Sequence, residues 1–584
     1  MGYTGKILRI NLSKGLAQSE PLNEEWAKAY IGGKGLSIKY LYEELEPGVD
    51  PLSEDNKLIL MTGPLTGTIV PNSGKLAIAA KSPATGTILD CSIGGAFAPE
   101  IKYAGYDAII IEGKATIPVY IYIEDDRVEL RSAKGLWGKG AHEAEYALQE
   151  ELDDARILAI GQAGENLVQM SCINSELYRQ AGRGGIGAVM GSKNVKAIAI
   201  KGTKGISTKE IRKFMVWMNK LKREDTMSED NMWAYTDGTP MIVELGQTTG
   251  TLPTYNFQQG TFDGWQSIDT EAVKKVRVAK KGCFACALAC GNYSEMGKTQ
   301  VEGPEYETLA MGGSNCGISD LEAVIEFNRL CDDYGLDTIS AGNVIAFAME
   351  LTEKGIHDFG MTFGDIEKYL EATGLIAKRE GIGAELAQGV KYLAGKYGGK
   401  DFAMEVKNLE FPGYEPRGSW SMGLAYATAD RGACHMRAWP IALEAFGDLD
   451  PYTIEGKAQL VKDLQDHNSA KFSAVLCDCW GLSEELQAEI LSRVLEREFT
   501  VEELLTAGER TYSLARLFNE REGFDRKDDY LPERTLTEKL PSGPSEGRVL
   551  PREEFEKMLA EYYALRGWDE QGRVTEETKQ KLDL

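Results

Sequence analysis

Hydrophobic positions along the chain follow two patterns, which meet near residue 205. Up to that point, short β-branched and aliphatic runs are separated by glycine and proline, and this pattern predicts strands. The predicted strands are residues 6–12, 57–61, 75–80, 107–112, 119–124 and 196–200. A turn at Asp125-Asp126 predicts a hairpin, which favours antiparallel strands over a parallel doubly wound sheet.

After Ser207, apolar residues recur at steps of three and four, which predicts helices. Ser319 with Glu322, and Thr500 with Glu503, have the spacing of capping boxes and predict two helix starts. The predicted helices are residues 209–223, 320–334, 341–354, 382–397, 456–476, 484–498, 501–520 and 553–566.

Two prolines and a glycine interrupt the helical pattern at residues 408–416, where we place the boundary between two helical regions. The fold class predicted is α+β, with an N-terminal β-sheet domain followed by two mainly α-helical domains. The predicted domains are residues 1–205, 206–408 and 409–584.

Composition narrows the function classes. The 65 Lys and Arg residues against 90 Asp and Glu residues give a formal charge of -25, which disfavours binding to nucleic acid. No apolar run is long enough to cross a membrane, and the first residues lack the apolar core of a signal peptide. Ten clustered cysteines suit a reducing compartment, so we predict a cytoplasmic protein.

Three of these cysteines, Cys283, Cys286 and Cys290, have the spacing Cys-x2-Cys-x3-Cys. This spacing favours a [4Fe-4S] cluster that takes its fourth thiolate from Cys477 or Cys479. A structural zinc site is the alternative, although it usually uses two Cys-x2-Cys pairs or a cysteine and histidine mixture. The protein is therefore predicted to be redox-active.

Two glycine-rich runs, residues 92–95 and 179–193, are candidates for holding phosphate. The second run combines many backbone amides with three cations, a composition that suits anion binding. Tight turns between elements explain each run equally well when it is taken alone.

Seven stretches, taken together, resemble the tungsten-containing aldehyde ferredoxin oxidoreductase family nearly end to end. They are residues 63–67, 104–109, 181–194, the three-cysteine run, 302–307, 335–338 and 431–435, in the family's order. The resemblance implies that the β-sheet domain forms a base for a tungsten, or alternatively molybdenum, atom held by two pyranopterins. It also implies a magnesium ion that bridges the pterin phosphates and a [4Fe-4S] cluster beside one pterin.

The resemblance extends to individual positions. Lys75 stands where the family usually has arginine, and Ser92 where it has asparagine. Lysine keeps the charge and serine keeps a backbone carbonyl for magnesium, so we expect both positions to bind. The positions that match pterin-contacting residues are Lys75, Ser92, Gly94, Gly95, Arg179, Arg183, Asp332, Leu336 and Asp337. Alignment of the family's second aspartate motif favours Cys477 over Cys479 as the fourth cluster ligand.

Glu307 and His435 match the positions at which the family carries out its chemistry. His435 is one of only four histidines, and it alone lies in a glycine-rich, non-helical segment. We expect His435 to donate a hydrogen bond to the developing oxyanion. Glu307, with a pKa raised by desolvation, is expected to accept a proton. Arg437, two residues beyond the histidine, is expected to bias the pocket toward acidic or aromatic substrates.

The activity implied is oxidation of aldehydes to carboxylic acids, with electrons leaving through the [4Fe-4S] cluster. The acceptor implied is ferredoxin, or an iron–sulfur partner subunit with or without a flavin subunit, in an oligomer. One alternative is the family's class II benzoyl-coenzyme A reductase branch, in which Cys316 or Cys434 would be a tungsten ligand. A second is a non-catalytic iron–sulfur electron-transfer subunit. The pair Glu307 and His435 favours aldehyde oxidation.

Overall fold

The computed structural model describes residues 2–206 and 210–584, so Lys209, where the first predicted helix begins, lies outside the described residues. Strands are concentrated in the first third of the chain. They are β1 Lys6–Asn11, β2 Leu16–Pro21, β3 Leu58–Met61, β4 Leu76–Lys81, β5 Ile88–Ile93, β6 Ala108–Glu112, β7 Val119–Glu124, β8 Arg127–Ser132, β9 Arg156–Ala159, β10 Ile173–Ser175, β11 Arg179–Ala181, β12 Val195–Lys201, β13 Arg277–Lys281, β14 Gly291–Met296, β15 Thr299–Glu302, β16 Glu405–Val406 and β17 Leu409–Glu410.

Two six-stranded sheets are formed by β1 to β12. Their strand orders are β2-β1-β6-β3-β4-β5 and β11-β10-β9-β12-β7-β8. The pair β1–β6 and the pair β7–β12 are parallel, whereas the other pairs in these sheets are antiparallel. All six predicted strands are present, and β7 and β8 form the predicted hairpin around Asp125-Asp126.

Helices make up most of the remainder. They are α1 Glu24–Tyr30, α2 Gly33–Glu44, α3 Phe97–Tyr103, α4 Ala141–Leu152, α5 Gln162–Glu165, α6 Ile186–Ser192, α7 Ile211–Leu221, α8 Trp233–Thr236, α9 Met241–Thr249, α10 Thr270–Val276, α11 Tyr306–Thr308, α12 Leu321–Tyr334, α13 Thr338–Glu353, α14 Ile366–Lys378, α15 Gly383–Leu386, α16 Val390–Tyr397, α17 Trp420–Thr428, α18 Lys457–Ser473, α19 Glu484–Leu495, α20 Val501–Arg521, α21 Glu533–Thr537, α22 Arg552–Arg566 and α23 Glu576–Leu582. None of them is long and apolar enough to cross a membrane.

The two predicted capping boxes have different outcomes. Thr500 and Glu503 form the predicted reciprocal cap of α20. The prediction at Ser319 is wrong, because Asp320 is the N-cap of α12 and its side chain accepts from the Ala323 amide. A carboxylate one residue further along competes successfully for the same unpaired amides.

The predicted helix over residues 382–397 is also wrong, because it is two short helices, α15 and α16. Gly389, which precedes α16, has a φ of 84°, a left-handed conformation that a continuous helix excludes. The backbone amide of Val390 donates instead to the Glu410 carboxylate, at 3.1 Å. Apolar periodicity alone therefore overestimated the length of this helix.

Both faces of the first sheet are covered. One face packs against the second sheet in a shared aliphatic core, to which Leu60, Ile78 and Ile198 contribute. The opposite face packs against α1, α2 and α20, through residues such as Leu41 and Phe518. Burial on both faces explains why β3 and β4 are continuous apolar runs instead of alternating ones. The end of β5 and the helical loops around it frame the candidate site.

Candidate active site

Three distant segments, around Asn72, Gly95 and Cys477, meet at the cysteine run. The Phe284 amide donates to the Gly95 carbonyl at 3.0 Å, and the Asn72 amide donates to the Ala285 carbonyl at 3.3 Å. The Cys477 amide in turn donates to the Asn72 carbonyl at 3.0 Å. These backbone contacts bring together the predicted cluster loop, the glycines after β5 and the candidate fourth cysteine.

Gly94 has a steric role in this assembly. A Cβ atom at this position would lie 2.6 Å from the Cys283 Sγ atom. A Cβ at Gly74 would similarly lie 2.8 Å from the Phe284 carbonyl oxygen. Because neither distance leaves room for a side chain, the two glycines allow the cysteine loop to approach the sheet.

All ten cysteines are free thiols, and five of them gather here. The Ala289 amide donates to the Cys286 sulfur at 3.4 Å. The Cys479 thiol is hydrogen-bonded with Cys290 and Cys477. The bond from Cys479 and the nearby Lys75 ammonium outweigh burial and lower the pKa of the Cys477 thiol to about 7. Cys477 is therefore the thiol of this pair that favours the thiolate form, which is the form that binds metals.

Four of the predicted pterin-contacting residues line one cavity of about 150 Å³. They are Lys75, Ser92, Gly94 and Arg179. Gly95, beside them, accepts from the cysteine loop through its carbonyl. The cavity is completed by Tyr178, Gln180, Glu302 and Glu305, which the sequence analysis missed. The available signal for these residues was their position: Glu302 and Glu305 lie within the matched stretch 302–307, Gln180 lies within the glycine-rich run, and Tyr178 lies beside it.

Two cations reach this cavity from different elements. The Lys75 Nζ atom lies 3.5 Å from Asp478 Oδ1. Arg179 forms an ion pair with Glu302, and the carboxylate and nearby thiols outweigh burial and raise the pKa of its guanidinium. The cavity therefore presents positive charge beside the thiols.

The junction of α12 and α13 holds the predicted aspartates. Asp332 accepts from Gln180 and, at 2.7 Å, from Asn328, and burial raises the pKa of its carboxyl. Leu336 is fully buried in the turn between the helices. Asp337 is the N-cap of α13 and accepts from the amides of its first turn at 3.1 and 3.3 Å.

Arg183 is not among the described residues that line the Lys75 cavity. Its Nε donates to Asp337 at 3.2 Å, its Nη1 to the Ala433 carbonyl at 2.7 Å and its Nη2 to the Glu410 carbonyl. The guanidinium therefore ties the start of α13 to the segment that carries His435. Protein groups use all three of these donor nitrogens.

Glu307 and His435 face each other. The Glu307 Oε2 atom accepts from the Gly413 amide at 2.8 Å, whereas Oε1 lies 3.5 Å from the Nδ1 atom of His435. Both of these facing atoms are buried and have no hydrogen-bond partner in the described part of the chain. Two unpaired polar atoms in such a position indicate a site built to contact a further group.

Burial shifts the pKa values of this pair in opposite directions. It raises the pKa of Glu307 to about 8, against the smaller lowering effects of the Gly413 amide and Arg183. Burial, with the nearby cations Arg183 and Arg431, lowers the pKa of His435 to about 3. At neutral pH the imidazole is therefore uncharged, while the carboxyl is mostly protonated and ionises as the pH approaches 8.

Arg437 does not face a substrate pocket, so the prediction that it selects acidic or aromatic substrates is wrong. Its guanidinium is buried between Asp90 and Asp430, with Nε 2.7 Å from Asp430 Oδ1. Lys34 closes the group at 2.8 Å from Asp90 and 2.5 Å from Asp430. Burial alone would raise the pKa of Asp430, but Arg437 and Lys34 hold it below its ordinary value.

Replacing Arg437 by methionine should lower the free energy of unfolding by about 3–5 kcal/mol, because it leaves buried carboxylates short of a countercharge. Urea unfolding followed by circular dichroism measures the change. Arg127→Met is the control, since its partners lie on the surface and the expected loss is about 0–1 kcal/mol. Equal losses in the two variants would contradict the assigned role of the buried group.

The two cysteines of the reductase alternative differ in environment. Cys316 is buried and its thiol donates to the carbonyls of Met311 and Gly342, both at 3.3 Å, and burial raises its pKa. Cys434 lies 3.2 Å from an Nη2 atom of Arg431. Burial is outweighed there by Arg431 and Arg437, so the pKa of Cys434 is lowered. Cys316 is thus engaged as a core thiol.

The residues present fit the cofactors that the resemblance implies. The thiols of Cys283, Cys286, Cys290 and Cys477 lie close enough for their charges to influence one another. Gly94 leaves the space that a side chain would fill, and Glu307 and His435 keep unpaired atoms. Soft thiolates suit iron–sulfur clusters, and backbone-rich, cationic cavities suit phosphates.

Comparison with known proteins settles the family. The model of the aldehyde ferredoxin oxidoreductase N-terminal domain matches residues 7–202, and the model of domains 2 and 3 matches residues 215–584. The chain belongs to this family. The tungsten-containing aldehyde ferredoxin oxidoreductase of Pyrococcus abyssi is 43% identical, with 100% of this chain and 99% of the relative covered. The enzyme of the same name from Pyrococcus furiosus is 42% identical over the same shares.

More distant members of the family have other names. The aliphatic sulfonate oxidoreductase, WOR-like subunit, of Pyrococcus furiosus is 31% identical and is covered to 97%. Among solved structures, the active site complex BamBC of benzoyl coenzyme A reductase matches with a TM-score of 0.86 and 27% identity. That match covers 100% of this chain and 97% of the other. The family fold is therefore shared by members with different chemistry.

Proposed function

We propose that the chain is a tungsten-dependent enzyme that oxidises aldehydes to carboxylic acids. The observation that carries this proposal is the Glu307 and His435 pair, whose unpaired atoms lie 3.5 Å apart. Whole-length identity of about 42% to enzymes of that name supports the same activity. The benzoyl coenzyme A reductase resembles this chain as a family relative.

Oxidation of an aldehyde adds an oxygen from water to the carbonyl carbon and removes two electrons and three protons. A tungsten atom bound by two pterins would supply the two-electron sink. In this proposal, the ionised Glu307 carboxylate accepts a proton as the water oxygen attacks. His435, uncharged because of its lowered pKa, donates its ring N–H to the developing oxyanion.

We propose that the remaining predicted residues hold the cofactors. Cys283, Cys286, Cys290 and Cys477 would bind a [4Fe-4S] cluster. The Ser92 backbone carbonyl would be a ligand of a magnesium ion between the pterin phosphates. The residues proposed to contact the pterins are Lys75, Ser92, Gly94, Gly95, Arg179, Arg183, Asp332, Leu336 and Asp337.

Two further features belong to the proposal. Electrons pass from the cluster to ferredoxin or to a dedicated iron–sulfur subunit, and the chain works as an oligomer. The proposed domain division at residues 205 and 408 separates the two six-stranded sheets from the cysteine run, and the cysteine run from the candidate fourth ligand.

The pH dependence of the reaction follows from the pKa of Glu307, which burial raises to about 8. A base works only when ionised, so kcat/KM should rise with pH and level off above about 8. His435 should add no step near its ordinary pKa of about 6.5, because it stays uncharged there. Initial rates of aldehyde-dependent viologen reduction measure the profile. The range from pH 6 to 10 covers about two units on each side of the pKa of Glu307. A rate that falls across this range would contradict the base assignment.

The activity itself is tested on anaerobically purified protein from cells supplied with tungstate. We expect about one tungsten and about four irons per chain, together with aldehyde-dependent viologen reduction. Protein with this metal content that reduces no viologen with any of a set of aliphatic and aryl aldehydes would refute the proposed activity. Zinc in place of iron would refute the cluster.

A further inference from the structure

The eight residues before the cysteine loop, 274–281, are strongly basic. They carry five cations, in a chain whose formal charge is -25. Its first three residues end α10 and its last five form β13, and we call the whole segment the basic strand. Its cations are Lys274, Lys275, Arg277, Lys280 and Lys281.

The β13 part of the basic strand lies at the edge of the three-stranded sheet β13-β14-β15. Its Val278 side chain is 58% exposed, and Ala279 beside it is also exposed. Exposed edge strands are either covered by a partner or protected by charge. Because β13 is an edge strand, this surface is available to a partner protein. The charges of the surface determine which partner binds.

Three of the five cations form no ion pair in the part of the chain that the structure describes. Lys274 pairs with Asp237 at 2.6 Å and with Glu271 at 2.9 Å, and Lys281 lies 3.6 Å from Glu302. In the described ranges of the chain, no carboxylate forms an ion pair with Lys275, Arg277 or Lys280. The strand thus keeps a net positive charge.

The basic strand contacts the predicted cluster loop directly, through Lys280. The Lys280 Nζ atom donates to the Cys290 carbonyl at 3.4 Å and to the Asn292 side chain at 2.9 Å. The same ammonium lies 5.8 Å from the ring centre of Tyr235, which is 45% exposed. Cations and apolar side chains therefore form one surface over the backbone of a predicted cluster ligand.

We propose that the basic strand and Tyr235 form the docking surface for an acidic iron–sulfur protein that accepts electrons from the cluster. The proposal rests on the proposed function. Each aldehyde oxidised with water gives one carboxylate, three protons and two electrons. The two electrons must leave one at a time through the proposed cluster. One carrier molecule is therefore reduced twice, or two carrier molecules are reduced once each.

Electrostatics favour such a partner and such a site. Because the chain as a whole is acidic, an acidic carrier is repelled by most of its surface and attracted at the basic strand. Local attraction of this kind orients the encounter and speeds association, while rim charges leave dissociation fast. A carrier that must bind and leave for every electron needs both properties.

The test measures binding separately from catalysis. Holoenzyme and a purified acidic ferredoxin with two [4Fe-4S] clusters are mixed anaerobically in a calorimeter, at low and at physiological salt. The variants are Lys275→Glu and the double variant Lys275→Glu with Lys280→Glu. Lys298→Glu is the matched control, since Lys298 is an exposed lysine in the turn between β14 and β15, outside the basic strand.

We expect Kd for the ferredoxin to rise about threefold in the single variant and about tenfold or more in the double variant, with less than twofold change in the control. The dependence of Kd on salt should weaken in the double variant. Lys275 is exposed and forms no side-chain hydrogen bond or ion pair within the described residues, so its variant tests the surface even if the Lys280 change disturbs the loop. Unchanged Kd in Lys275→Glu and the double variant, or equal changes in the control, would overturn the proposal.

Aldehyde-dependent viologen reduction distinguishes the two proposals. Variants that keep wild-type viologen rates but need more ferredoxin for half-maximal rate support both. Binding through the basic strand by a wild-type enzyme that oxidises no aldehyde would leave the docking surface standing and refute the proposed activity.

Discussion

Replacing Glu307 by glutamine should lower the rate of aldehyde oxidation by ~10²- to 10⁴-fold, the usual contribution of a positioned general base. Glutamine has the same shape, and its carbonyl oxygen can still accept from the Gly413 amide, as Oε2 does. The fold and the metal content should therefore stay the same while the proton acceptor is lost. Viologen reduction by metal-matched preparations measures the effect, and the rising pH limb should disappear.

Glu145→Gln is the matched control. Glu145 is also a buried glutamate, and burial raises its pKa to about 7. It accepts from the Leu177 amide and does not touch His435, so its loss should leave kcat within about twofold. Equal losses in the two variants would indicate a general effect of removing a buried carboxylate, and near-normal rates in Glu307→Gln would refute the base.

Local sequence patterns predicted much of the fold. The strands β3, β4 and β6 are fully or almost fully buried, so their continuous apolar runs are recognisable in the sequence. The Thr500 cap depends on residues three positions apart, and it was also predicted. The Ser319 cap was not correct, because an equally suitable acceptor stands beside it at Asp320. Which of two adjacent residues caps a helix depends on packing, and packing cannot be read from the sequence.

Long-range polar contacts were the part that sequence could not supply. Arg437 was predicted to face substrate because it follows His435 closely. Its partner Asp90 lies far away along the chain and meets it only after the sheet and the helical regions pack together. The same limit applies to Arg183, whose partners are a side chain at Asp337 and two distant backbone carbonyls. Residue type predicted the charge of both side chains but not the protein groups that they contact.

Loss of Cys477 should remove the iron–sulfur cluster or reduce it from about four to about three irons per chain, because a cubane needs four thiolate ligands. Cys477→Ala keeps the backbone amide that bonds to Asn72, so the loop can hold its position. Iron analysis and the visible absorption of the cluster measure the change. Electron transfer to ferredoxin should fall with the iron content, because the cluster is the proposed exit.

Cys479→Ala decides between the two candidates for the fourth ligand. Burial, together with the charge of Cys477, raises the pKa of both Cys283 and Cys286, whereas the Cys479 thiol is hydrogen-bonded with Cys290 and Cys477. We therefore expect Cys479→Ala to keep about four irons, with a changed reduction potential, because a hydrogen bond to the cluster sulfurs is lost. If Cys479→Ala loses iron and Cys477→Ala keeps it, the assignment is reversed. If both variants keep full iron, neither residue is the ligand, and the fourth thiolate must come from elsewhere in the chain.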